Sequence, residues 1–152
     1  MLAIEDAIEI NASAEAVFNW FANLRTGEDY RAWHPDHVDW QWLRGQSLWE
    51  EGAVVLAKEY LHGRMHPLKF RITRVRPARL IEYKPLLPES MLMSGGSFVF
   101  EPLETGGCVF KAVIVFRGGS FLARLFGEQI RELKRHMKEE GENAKRLIES
   151  RV

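Results

Sequence analysis

One cysteine, Cys108, in 152 residues excludes an internal disulfide and any zinc site built from several thiolates. Net charge is also missing, because Lys plus Arg and Asp plus Glu both total 21. Nothing therefore draws the chain electrostatically to nucleic acid or anionic lipid, and neither is expected as a partner. No apolar run approaches the ~20 residues of a membrane-spanning helix. The acidic start, with Glu5, Asp6 and Glu9, lacks the basic flank and apolar stretch of a secretion signal, so a cytoplasmic protein is the expectation. There is no internal repeat, no low-complexity tract, no glycine-rich phosphate loop and no Ser-His-Asp order in a supporting context. Gly95-Gly96 and Gly118-Gly119 flank strands and read as bends. What is left for chemistry is histidine and carboxylate.

The length fits one domain over residues 1–152 with room for a substantial core. Ile4, Ile8 and Ile10 alternate with Glu5 and Glu9, the signature of a half-buried first strand. Ser13 then caps a short helix whose apolar face is Ala14, Val17, Phe18 and Phe21. The stretch Leu24 to Pro35 forms a second short helix or loop, stopped by the proline after His34. Six strands follow, at about Val38 to Leu43, Ala53 to Leu61, Pro67 to Val75, Leu80 to Leu86, Gly96 to Pro102 and Cys108 to Arg117. From Phe121 to Ser150 the apolar positions Phe126, Ile130, Leu133, Met137, Ala144 and Leu147 step by threes and fours, predicting one long amphipathic helix. The expected class is α+β: a curved, seven-stranded antiparallel sheet with two short helices, wrapped around a long C-terminal helix that covers its concave face.

In that order and length the chain resembles the START-like, Bet v 1-like helix-grip superfamily, which includes polyketide cyclases and many small-ligand binding proteins. The residues that carry the likeness are Ile8 to Phe21, reading IEINASAEAVFNWF, then Trp33-His34-Pro35 and the C-terminal amphipathic helix. The resemblance implies a cavity between sheet and helix, and constrains fold more than function.

Glu140 falls in a core slot of the helix stripe, with His136 one turn away at its edge. A carboxylate buried alone costs several kcal/mol, so Glu140 must be protonated, paired with a cation or bound to a metal. Glu59 is the first partner: a two-residue turn at Gly63-Arg64 would pair His62 with Met65 and set Glu59 opposite Leu68, on the apolar face. His34 is the second, held extended by Pro35 and anchored by Trp33. His62 and His66 flank the turn and read as exposed, with His66 a spare ligand. His34, Glu59, His136 and Glu140 form a nitrogen and oxygen donor set suited to Zn²⁺, which Fe²⁺ or Mn²⁺ also fits.

The order His, then Glu on a strand, then His-x-x-x-Glu on the last helix is similar to the zinc site of the 2,4-diacetylphloroglucinol hydrolase family, with Trp33-His34-Pro35 and Lys58-Glu59-Tyr60 as local context. The resemblance implies metal-dependent cleavage of a carbon–carbon bond in a small acylated aromatic or polyketide-like substrate, with His34, Glu59, His136 and Glu140 as ligands. His37 is then the expected ring-hydroxyl contact and proton donor, with Tyr60, Phe70, Tyr83, Phe98 and Met137 as further substrate contacts. The family's additional N-terminal region has no counterpart before the first strand here, which leaves the substrate open. The alternative is a metal-free binding or transport protein for an apolar small molecule. The apolar Phe121-Leu122-Leu125 segment makes a homodimer contact a further expectation.

Overall fold

The computed structural model describes residues 1–151. Seven strands form one antiparallel sheet: β1 Leu2–Ile10, β2 His37–Arg44, β3 Val54–Leu61, β4 Arg64–Arg76, β5 Leu80–Pro85, β6 Met93–Pro102 and β7 Cys108–Phe116. Their order is β1-β7-β6-β5-β4-β3-β2, so β1 and β2, consecutive in sequence, lie at opposite edges. Helices α1 (Ala14–Ala22) and α2 (Gly27–Trp33) bridge that gap. The Ser13 hydroxyl caps α1 by accepting from the Ala16 amide, and Thr26 with Asp29 forms a capping box for α2. The helix-grip architecture expected from the sequence is the one observed.

The core lies between α1, α2 and the middle strands. Phe21 stacks on Phe110 with ring centroids 4.6 Å apart and meets Trp33 edge-on at 5.3 Å, the offset and T-shaped contacts aromatic quadrupoles favour. Trp33 also donates from its indole nitrogen to the Glu140 carbonyl at 2.9 Å, tying α2 to the last helix. No helix among the described residues is long and apolar enough to cross a membrane.

Two expectations need correction. The single helix from Phe121 to Ser150 is two, α3 (Gly119–Leu125) and α4 (Gly127–Glu149), because Phe126 leaves helical geometry at φ −119° and ψ 35°. Gly127, a poor helix former, follows that break. The β3–β4 turn is His62-Gly63, with φ of 56° and 72°, both in the left-handed region that a two-residue hairpin turn demands. Glu59 consequently pairs with His66 instead of Leu68. The error is two residues, and side chains alternate with period two, so Glu59 still faces inward and is only 8% exposed.

Candidate functional site

Between the concave sheet and α4 lies a cavity of about 420 Å³, walled largely by apolar side chains. Glu59 from β3 and His136 and Glu140 from α4 reach it, and His37 at the start of β2 stands behind them. His37, Glu59, His136 and Glu140 each offer one donor atom within 4.8 Å of the others. His37 Nε2 is 2.9 Å from Glu140 Oε2 and 3.8 Å from Glu59 Oε2, and His136 Nε2 is 3.4 Å from Glu140 Oε2. A tetrahedral zinc site with bonds of about 2.0 Å separates its ligands by about 3.3 Å, so these spacings fit such an ion.

The hydrogen bonds around the cluster sharpen the point. His37 Nδ1 lies 2.9 Å from the Tyr30 carbonyl, which only accepts, so this nitrogen carries the proton. In a neutral His37 the Nε2 lone pair then faces an oxygen of Glu140, an arrangement that requires a proton or a cation between them. Both ring nitrogens of His136 are buried without a hydrogen-bond partner among the described residues. Tyr30 completes the support: its ring stacks on His37 at 3.7 Å with an 8° interplanar angle, and its hydroxyl donates to Glu59 Oε2 at 2.5 Å. Such outer hydrogen bonds are how metal-ligating histidines and carboxylates are held in orientation.

Electrostatics bind the same groups together. At His136 burial opposes a charged imidazole, but Glu140, Glu59 and Asp36 outweigh it and raise the pKa to about 9. At Glu140 burial favours the neutral acid, yet His136 and His37 prevail and hold the carboxyl below its ordinary range. Burial, with Glu59 and Glu140 nearby, pushes the Tyr30 phenol up, and burial with the same two carboxylates does so at Tyr83, so both stay protonated.

His34, expected as a ligand, is committed elsewhere. Its Nδ1 accepts from the Asp36 amide at 2.9 Å and its Nε2 lies 3.0 Å from Glu139 Oε1, so both nitrogens have partners. Burial pushes its pKa down, keeping the ring neutral. It packs beside the cluster, 4.3 Å from the His136 ring, and with His37 and His136 forms a second, overlapping group of donors. His37, expected to face the substrate, is buried behind the cavity wall with both nitrogens engaged. Tyr60 is corrected too: it follows Glu59 by one residue, so the pleat turns it outward, 51% exposed. Phe70, Tyr83, Phe98 and Met137 do line the cavity. His66 is half-buried at the wall and bonded to the Leu61 carbonyl, and His62 is held by Glu132 of α4. Sequence reasoning missed Tyr30, although its helical spacing from Trp33 places both on one face of α2, and read Gly96 as a bend where it lies inside β6, paired with Tyr83. A β-carbon at Gly96 would lie 2.4 Å from the Tyr83 hydroxyl, so only glycine leaves room for that ring.

A long helix gripped by a curved antiparallel sheet over an apolar cavity, with a histidine and glutamate cluster in its wall, defines a helix-grip protein of the Bet v 1-like class. The chain belongs to the polyketide cyclase / dehydrase and lipid transport family, which matches residues 1–149. Among solved structures it is similar to the Zhui aromatase/cyclase from Streptomyces sp. R1128, with a TM-score of 0.74 and 20% identity over 99% of this chain and 95% of that one. It is also similar to norcoclaurine synthase from Thalictrum flavum, solved with dopamine and hydroxybenzaldehyde, at a TM-score of 0.76 and 11% identity over 99% and 88%. Ara h 8.0201 matches at a TM-score of 0.72 and 14% identity over 98% of both chains. At these identities the likeness speaks for the fold alone. No curated protein matches the chain in sequence.

Proposed function

We propose that the protein is a metal-dependent hydrolase of a small acylated aromatic or polyketide-like molecule, and that His37, Glu59, His136 and Glu140 hold its divalent cation, Zn²⁺ first among the candidates. The observation that carries this reading is the convergence of four donor atoms within 4.8 Å of one another, with His37 Nε2 2.9 Å from Glu140 Oε2 and no hydrogen-bond partner for the His136 ring nitrogens among the described residues. The diacetylphloroglucinol hydrolase likeness supports the same chemistry with His37 in place of His34. A cation there would supply electrophilic polarisation of an acyl carbonyl or acidification of a water. The chain's own part is to exclude bulk water with its apolar wall, to neutralise the cation with two carboxylates, and to offer the Tyr83 hydroxyl as a hydrogen-bond donor to the bound molecule. The test is acetate release from diacetylphloroglucinol and related acyl phenols by tag-free protein. Turnover that stops with chelator and returns with zinc supports the reading; no zinc-dependent release across the panel overturns it.

A second reading, a metal-free binding protein, is favoured by a specific observation. His136 and Glu140 shift in opposite directions, so a charged pair satisfies the cluster without metal. It would bind the same kind of molecule in the same cavity and predicts full affinity after chelation.

A further inference from the structure

The charges around the cavity carry a statement about its ligand. Glu59 and Glu140 present carboxyl groups at its wall, and Glu89 adds a third from the turn before β6. In a chain with 21 Lys and Arg residues, none of them lines the cavity among the described residues. His136 faces Glu140, whose Oε2 lies 3.4 Å from its Nε2. A divalent cation held by the cluster would be neutralised by two carboxylates. The wall thus offers an anion no lysine or arginine, and its histidines His62, His66 and His136 already face Glu132, the Leu61 carbonyl and Glu140; an anion brought out of water without a partner is strongly disfavoured. The carboxylates accept only, and the donor side of the wall is the Tyr83 hydroxyl together with the unpartnered Trp40 indole and His136 ring nitrogens. The volume of about 420 Å³ lies toward the small end of ligand pockets, which run from ~300 to ~1,000 Å³.

We propose that the cavity selects an uncharged aromatic molecule that brings its own hydroxyl donors, and that it rejects carboxylates and phosphates of the same skeleton, fatty acids included. This rests only on the part of the proposed function shared by enzyme and carrier, that the cavity is the ligand site. Phenolic hydroxyls donate to Glu59 and Glu140, a carbonyl or ether oxygen accepts from Tyr83, and the ring system lies against Phe70 and Phe98.

Calorimetric titration at neutral pH with naphthol, naphthoate and methyl naphthoate tests it, on both zinc-loaded and chelator-stripped protein. The expected order is naphthol tightest, the ester weaker and the carboxylate weakest, with at least about tenfold between the first and last. Leu133→Arg, which sets a cation in the wall, should narrow that gap by strengthening naphthoate. Glu140→Gln should narrow it by removing one carboxylate. Naphthoate binding as tightly as naphthol, or no binding by any of the three, overturns the proposal. Charge selection that persists without zinc, in a protein that releases no acetate, would sink the hydrolase and leave the selectivity standing.

Discussion

His136 and Glu140 each make the other's charge tolerable in a place where neither would survive alone. In metal-free protein the sign of their pH dependence follows from that. His136 rises from an ordinary 6.5 to about 9, so its contribution is complete below about 6.5 and is lost as pH climbs through 9. Glu140 is lowered, so its contribution is complete above the ordinary carboxylate value of about 4.3 and is lost as pH falls below it. Urea midpoints in chelator should therefore be highest near pH 5 to 6 and decline toward 9, whereas a flat profile from 6 to 9 would contradict the pairing. Tyr30 acts one step out. Tyr30→Phe keeps the stack on His37 but removes the hydrogen bond to Glu59, and zinc affinity measured by competition with a chelating dye should fall about 10- to 100-fold with the fold intact. How legible this was depends on the residue. Glu140 and His136 announce themselves by helical spacing, and Glu59 by strand alternation. His34 and His37 do not, because both sit in His-Pro-Asp-His and only the three-dimensional turn decides which ring meets the cluster: the extended backbone of His34, at φ −153° and ψ 139°, sends it toward Glu139.

Among the elements, the strands and the first two helices could be read from alternation, caps and proline. The break between α3 and α4 could not, since Phe126 continues the apolar stripe and only its backbone departs from the helix. The hairpin register was likewise hidden in the choice of which residue precedes Gly63 at positive φ. The pairing of β5 with β6 carries its own test. Tyr83 and Gly96 are register partners, and the phenol ring occupies the space a β-carbon would need. Gly96→Ala should cost about 1–3 kcal/mol through overpacking and push the Tyr83 ring out of place. In a Tyr83→Ala background the same change should cost little, and a double-mutant cycle in chemical denaturation measures the difference. Equal costs in both backgrounds would disprove the contact.

Taken whole, the molecule is an apolar cup whose buried ionisable side chains, His34, His37, Glu59 and His136, gather at one wall. Two of its three tyrosines report on that wall. Tyr30 and Tyr83 have phenols raised by burial, so the stability each contributes is complete below the ordinary value of about 10 and is lost only above it. In a spectrophotometric titration both should ionise together with alkaline unfolding rather than before it; two phenolates in a still-folded chain would contradict their placement. Zinc that binds the native state alone should also raise the melting temperature with concentration.

The most direct measurement is the metal content of tag-free protein and of two variants, after zinc loading and removal of excess. The account predicts about one equivalent of zinc in the wild type, its loss in His37→Ala, and its retention in His34→Ala. A wild type that retains no zinc, or one emptied by His34→Ala but not by His37→Ala, would contradict it.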